Sequence, residues 1–352
     1  MLSSLCSAAT KVKLGEINGA KFRIDIPENW NGGLVLYCHG YSVTPATFDS
    51  APKPTAPFAP FLTAGYAVAQ SGYAGTGWAV QEAIDDTQAL RRYFTGKYGK
   101  PKEVFITGQS MGGFTTMVLM EKYPTDFDAA LSLCGPLAGV MQYKLKTAFD
   151  MRVLFDYYFP DVLPAPVHIP RDLQRSKELE AKVLAALQAK PGAAETLRRY
   201  GNIKTDAELA SLEVLWTYQL MDMEQRSGGN AFDNRNVIYV GVPDNNAVND
   251  GVKRYTADLN AVEYLKTFYA PTGKLLRPML AIHTTYDPLV PPWVPGTYSV
   301  LTENAGNPDK FVLQYVKHDG HCRIELDEIA RGFEQLRRWK DTGARPPSGW
   351  NH

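Results

Sequence analysis

A serine between glycines, then an aspartate, then a histidine is the order in which this sequence lays out residues that could do chemistry together. Gly108-Gln-Ser110-Met-Gly112 fits the pattern G-x-S-x-G. It follows Val104-Phe-Ile-Thr107, a β-branched and aromatic run, and precedes Thr115, Val118, Leu119 and Met120 on a helical repeat. A serine on so sharp a strand-to-helix turn takes unusual dihedrals, and side chains at the flanking glycines would clash. The turn lifts the hydroxyl above the sheet edge, and the following helix N-terminus favours developing negative charge. A serine hydroxyl is a poor nucleophile at neutral pH, so it needs a base, and the base needs an orienting acid. Asp287 supplies the acid, in the loop His283-Thr-Thr-Tyr-Asp287-Pro-Leu-Val-Pro291 beyond a β-like run. Lys317-His-Asp-Gly-His-Cys322 offers two histidines for the base. His321 follows a glycine and directly precedes the last helix, so it is the base of choice, with His318 as a neighbour or substrate contact.

An oxyanion needs backbone N–H groups aimed at the developing charge. Met111, the residue after the serine, is one expected donor. Tyr41 in His39-Gly40-Tyr41 is the other, with Gly40 as alternate. Tyr41, Tyr73, Trp78 and His318 are the expected substrate contacts. His39 reads as structural or as support for the oxyanion loop, and His168 and His283 as ordinary polar contacts.

The elements that must position these groups alternate in kind. β-like runs occur at Val12–Ile17, Phe22–Ile26, Gly33–Cys38, Tyr66–Gln70, Val104–Thr107 and Ala129–Cys134. A helix is predicted over Val80–Phe94, acidic early and basic late, with Gly99 and Pro101 closing it. Such alternation with short connections predicts a mostly parallel sheet with helices on both faces. From about Leu137 to Thr272 strand character fades and helical stretches such as Ser176–Leu187 and Ala207–Met223 dominate. The alternation resumes with Pro278–Ile282, a helix near Pro295–Glu303, Lys310–Val316 and a helix over Ile324–Trp339. We therefore expect an α/β core of residues 1–136 and 273–352, interrupted by a helical cap or lid of residues 137–272. That insertion is expected over the strand C-terminal ends, where open α/β sheets bind ligands. It carries large side chains, among them Met141, Tyr143, Phe149, Trp216 and Met221, of which about two thirds are expected in its own core and the rest over the serine.

Bulk composition narrows the classes. The chain has 352 residues, 45% hydrophobic and 21% charged, which suits one large globular domain with an insertion. Lys+Arg and Asp+Glu both number 37, so no net field gathers nucleic acid or an anionic membrane. No apolar run approaches the ~20 residues of a membrane span. The first residues lack a basic and a long apolar region, which fits either a cytoplasmic chain or an exported one whose signal has been removed. Of four cysteines (Cys6, Cys38, Cys134, Cys322), Cys38 and Cys134 end apolar runs and read as buried free thiols, with one or two disulfides open to an exported chain. His318, Asp319, His321 and Cys322 are of metal-ligating types, but no other ligand cluster accompanies them, so no metal and no cofactor are expected.

Together, His39-Gly40-Tyr41, Gly108-Gln-Ser-Met-Gly112, Tyr286-Asp287-Pro288 and Gly320-His321-Cys322 resemble the α/β-hydrolase superfamily, in its esterase and prolyl-oligopeptidase-like branches. Gly320-His321-Cys322 is also similar to tannase and feruloyl esterase proteins, in which a cysteine beside the histidine pairs with one beside the serine. Here Gln109 precedes Ser110, so that tether is not expected. The resemblance implies a serine hydrolase working through an acyl-serine on a small-molecule ester or amide of moderately hydrophobic or aromatic character. An amidase or peptidase, an acyltransferase and a non-catalytic binding protein are the alternatives.

Overall fold

Strands that are apolar on both faces of the chain form the interior of one sheet. A computed structural model describes residues 10–51, 55–139, 143 and 145–351; Cys6 and Met141 lie outside these. Every residue of β3 (Leu34–Cys38) and β6 (Ala129–Leu133) is buried, as is the middle of β5 (Val104–Gln109) between them. Runs with no polar alternation need cover on both faces, which helices of a parallel sheet provide. Beyond a buried Thr10, β1 (Thr10–Ile17) holds only half-buried and exposed residues, largely alternating, as an edge strand should.

The remaining strands are β2 (Ala20–Pro27), β4 (Ala67–Ser71), β7 (Met279–Tyr286), β8 (Phe311–Asp319) and β9 (Gly349–Trp350). They join in the order β1-β2-β4-β3-β5-β6-β7-β8-β9. β1 and β2 pair antiparallel, as do β2 and β4; every other neighbour is parallel. The chain splits into two compact units, one holding residues up to Ala138 and from Pro271, the other Gly139–Ala270.

In the first unit, helices α1 (Ala59–Thr63), α2 (Val80–Tyr98) and α3 (Met111–Lys122) precede the break, and α10 (Trp293–Asn304) and α11 (Leu326–Thr342) follow it. Phe333 of α11 meets Phe61 at 4.9 Å, Phe105 at 5.1 Å and Tyr66 at 5.2 Å between ring centroids, all near perpendicular. Edge-to-face rings in a closed core add to the burial of their own area. Leu280, Ile282, Val312 and Leu336 complete this side of the sheet. α11 begins with a reciprocal capping box between Glu325 and Glu328 and ends at Gly343 in a left-handed conformation.

The second unit is helical: a π-helical turn at Leu145–Phe149, then α4 (Asp150–Tyr158), α5 (Lys177–Ala189), α6 (Pro191–Gly201), α7 (Asp206–Ser227), α8 (Asn245–Gly251) and α9 (Leu259–Tyr269). Ser176 caps α5 through Leu179 N and Thr205 caps α7 through Glu208 N. Tyr143, Phe149, Trp216 and Met221, noted above for size, are all buried. Arg152 and Glu213 form a buried pair at 3.5 Å. Burial pushes the Glu213 carboxyl up to about 7, against the pull of the Arg152 guanidinium. Among the described residues, no helix is long and apolar enough to cross a membrane.

Candidate active site

The loop between β5 and α3 is a single residue long. Ser110 sits on it at φ 56° and ψ −122°, a conformation that a non-glycine residue holds only when its surroundings enforce it. Its N–H donates to Leu133 O of β6 at 3.0 Å, and its C=O accepts from Phe114 N at 3.1 Å. The turn leaves no room for side chains. A Cβ on Gly112 would lie 1.9 Å from Cys38 O and 2.8 Å from His39 O, both backbone atoms that cannot rotate away. Gly112→Ala is therefore expected to lose more than the ~1–3 kcal/mol typical of overpacking, read as a lowered thermal midpoint with loss of Ser110 reactivity. An unchanged midpoint would show that β3 and α3 do not approach this closely.

Asp287 and His321 arrive from the ends of β7 and β8. Asp287 is buried; its Oδ1 accepts N–H from Leu289 at 3.0 Å and Val290 at 2.8 Å. Its Oδ2 lies 2.7 Å from His321 Nδ1, and His321 Nε2 lies 2.8 Å from Ser110 Oγ. A carboxylate only accepts, so the imidazole proton sits on Nδ1 and Nε2 is left to accept from the serine hydroxyl. The chain reaches His321 through Gly320 at φ 109°, whose N–H donates to Tyr286 O and whose C=O accepts from Thr284 Oγ1. The three residues chosen from sequence are thus brought into one hydrogen-bonded line.

Cys322 corrects the sequence-based reading of the thiols. It is bonded to Cys134, 188 residues away at the end of β6. Cys134 is not a free thiol, and the histidine-side cysteine is tethered without a cysteine beside the serine. Cys38 remains free and buried, and burial pushes its thiol up to about 11. Among the described residues, the set of possible metal ligands within 4.8 Å of one another is Cys134, His321 and Cys322, whose two sulfurs are bonded to each other.

The segment after β3 approaches the serine closely: a Cβ on Gly40 would be 3.2 Å from Gln109 O and 3.4 Å from Ser110 Cβ. Several contacts hold it there. His39 Nδ1 donates to Gly40 O at 2.8 Å, and the His39 ring stacks on Tyr73 at 3.9 Å. Tyr73 OH donates to His39 O at 3.3 Å. The downstream loop is pinned by Arg23, which donates to Asp49 O and Ala51 O while bound to both oxygens of buried Asp25. Gly77 N donates to Ser42 O at 2.7 Å, joining this loop to the one after β4. Met111 opens α3, so its N–H falls in the first turn, where the helix offers no acceptor.

The expected substrate contacts are placed differently from one another. Tyr41 and Trp78 are ring neighbours at 5.6 Å, with Trp78 buried. Tyr73 is buried beneath His39, with its hydroxyl committed to the backbone. His318 Nε2 faces Glu328 Oε1 at 3.1 Å, beside the α11 capping box and not in the Ser110 line. Sequence reasoning missed the Arg23–Asp25 anchor; the only available signal was an arginine and an aspartate two apart on one face of a strand.

A family model described as serine aminopeptidase, S33 matches residues 65–217. No curated protein sequence gives a significant match. Among solved structures, the chain is similar to a Bacteroides ovatus protein provisionally assigned as a dipeptidyl aminopeptidase IV, with a TM-score of 0.52 at 13% identity over 93% of this chain and 36% of that one. It is also similar to the Pyrococcus horikoshii acylaminoacyl peptidase (TM-score 0.51, 12% identity, 97% and 43%). A third is a Mycobacterium tuberculosis puromycin-hydrolyzing peptidase (0.51, 13%, 97% and 40%). The chain thus spans about two fifths of the length of these structures, and at such identity the likeness speaks to fold. Sheet order, the strained serine turn and these matches agree that the chain has the α/β-hydrolase fold.

Proposed function

We propose that the chain hydrolyses carboxylic esters of moderately hydrophobic or aromatic character through an acyl-serine. The observation that carries this is the unbroken line Ser110 Oγ, His321 and Asp287, at 2.8 and 2.7 Å. Ser110 Oγ attacks the carbonyl carbon as its proton passes to His321 Nε2, and Asp287 holds the imidazolium that forms. The N–H groups of Met111 and Tyr41 receive the oxyanion. Collapse expels the alcohol with the proton from His321 and leaves the acyl group on Ser110. Water, deprotonated by His321, then repeats the sequence and releases the acid. Tyr41 and Trp78 are the aromatic residues we place against the substrate.

Amide or peptide cleavage is the second reading, favoured by the descriptions of the matching family model and of the peptidase structures. An alkoxide leaves more readily than an amine, so a triad able to cleave amides also cleaves esters. Esters are cleaved under both readings and amides only under the second. The test is labelling with a fluorophosphonate, with Ser110→Ala as control, followed by graded p-nitrophenyl esters beside matching anilides. Labelling lost in the variant, with esters far faster than anilides, is the expected result. Comparable rates on anilides would move the assignment to a peptidase. A folded protein that stays unlabelled would leave only a ligand-binding role.

A further inference from the structure

We infer that His283 is a positioning residue for this reaction: it closes the loop that carries Asp287 and so aims the carboxylate at His321. The inference rests on the roles proposed above for Ser110, His321 and Asp287. His283 lies on β7, where its neighbour Ile282 packs into the core on the opposite face. The His283 side chain is buried, and its Nε2 lies 2.8 Å from Val290 O. A carbonyl only accepts, so the proton sits on Nε2. The same Val290 donates its N–H to Asp287 Oδ1 at 2.8 Å. One residue therefore links the two side chains: its carbonyl is held by His283, and its amide holds the acid.

The geometry also says why the contact stops short of a second triad. His283 Nε2 is 3.7 Å from Asp287 Oδ2, too far for a hydrogen bond, while His321 Nδ1 takes that oxygen at 2.7 Å. His283 Nδ1 has no hydrogen-bond partner among the described residues. A second proton on His283 would stand there in a dry site, so burial holds the ring below the usual histidine range even with the Asp287 carboxylate nearby. The titratable groups that act on it are Asp287 and His321. A neutral His283 leaves Asp287 to a single imidazolium, the one on His321. A charged residue at 283 would compete with His321 for Asp287, and an apolar one would free the Val290 carbonyl and loosen the loop.

Two variants separate positioning from mere support of the fold. His283→Leu removes the donor; His283→Gln keeps an N–H donor at about the same reach. Initial rates on a p-nitrophenyl ester would be measured across substrate concentration, together with the thermal midpoint of each protein. We expect His283→Leu to lower kcat by about 10–100-fold, the penalty of a misplaced catalytic group, with KM within about threefold. His283→Gln should recover turnover. Full turnover in His283→Leu would overturn the inference while leaving the triad intact. So would equal losses in both variants that track the fraction of folded protein. Failure of fluorophosphonate to label Ser110 in the unaltered protein would overturn the triad reading and this inference with it.

Discussion

Ser110→Ala and His321→Ala are each expected to lower kcat by about 10⁶-fold, and the double variant is expected to fall no further. The reason lies in the shared proton. Ser110 Oγ and His321 Nε2 are 2.8 Å apart, and neither does chemistry without the other: alanine at 321 leaves a hydroxyl with nowhere to send its proton, and alanine at 110 leaves a base with nothing to activate. Once either is gone, removing the other changes nothing. What remains, about 10³–10⁴ over water, comes from binding and from the oxyanion donors. Asp287→Asn should be milder in one sense and more informative in another. The amide can donate to His321 Nδ1, which forces the imidazole proton onto Nε2, facing the serine hydroxyl where an acceptor is needed. A loss of about 10⁴-fold in kcat with little change in fold is the expected result. The measurement is steady-state hydrolysis of a p-nitrophenyl ester with active-site titration of each protein. Losses that multiply in the double variant would show that Ser110 and His321 act independently, and the triad would be wrong.

How much of this was legible from sequence follows the range of the interactions concerned. The serine turn is local: strand, glycines and helix all fall between Val104 and Lys122, and the crowding of Gly112 against Cys38 is written in the glycine itself. Asp287 and His321 are distant, but chain order found them because each follows a strand of the sheet. His321 and not His318 lies against Ser110 in the structure because Gly320, with its left-handed φ, turns the chain out of β8, while His318 stays near the strand end with Glu328. Tyr73 was placed in the substrate space because an aromatic residue in a glycine-rich loop invites that reading. Its φ of 53° and its stack on His39 put it under the loop after β3 instead. β9 is two residues long, and nothing in Gly349-Trp350 marks a strand without β8 beside it. The helices described within Gly139–Ala270 read in sequence as a helical region, but their boundaries depend on caps such as Asp244 on Ala247 N, which periodicity does not report.

Opening the Cys134–Cys322 bond, by a dithiol or by the double change Cys134→Ser, Cys322→Ser, is expected to lower both stability and turnover. The two losses have different origins. A cross-link between residues 188 apart removes chain entropy from the unfolded state worth about 5 kcal/mol in the simple loop model. Other strands of the sheet and a whole second unit lie within that loop, so residual structure should bring the value toward the commoner ~2–4 kcal/mol. At about 2–4 °C per kcal/mol for a unit of this size, the thermal midpoint should fall by roughly 5–15 °C. Turnover should suffer well below that midpoint. Cys134 and Cys322 both hold left-handed backbone, at φ 46° and 58°, a conformation costing a non-glycine residue about 1–2 kcal/mol. Cys134 is fixed by its N–H to Ile282 O at 2.8 Å, so without the bond the strain is relieved at the freer end, Cys322, next to His321. A shift of about 1 Å in that imidazole is enough for a loss approaching 10²-fold, with KM little changed. Peptide mapping without reductant reports the bond, and thermal melts and kcat at 25 °C on oxidised and reduced protein read the two losses separately. Should the melts and rates coincide, Cys322 would not be fixing the His321 loop, and the Gly320 contacts to Tyr286 and Thr284 would have to hold the base alone. A fall in the midpoint with kcat unchanged would place the bond in the stability of the sheet end and not in the aim of the imidazole.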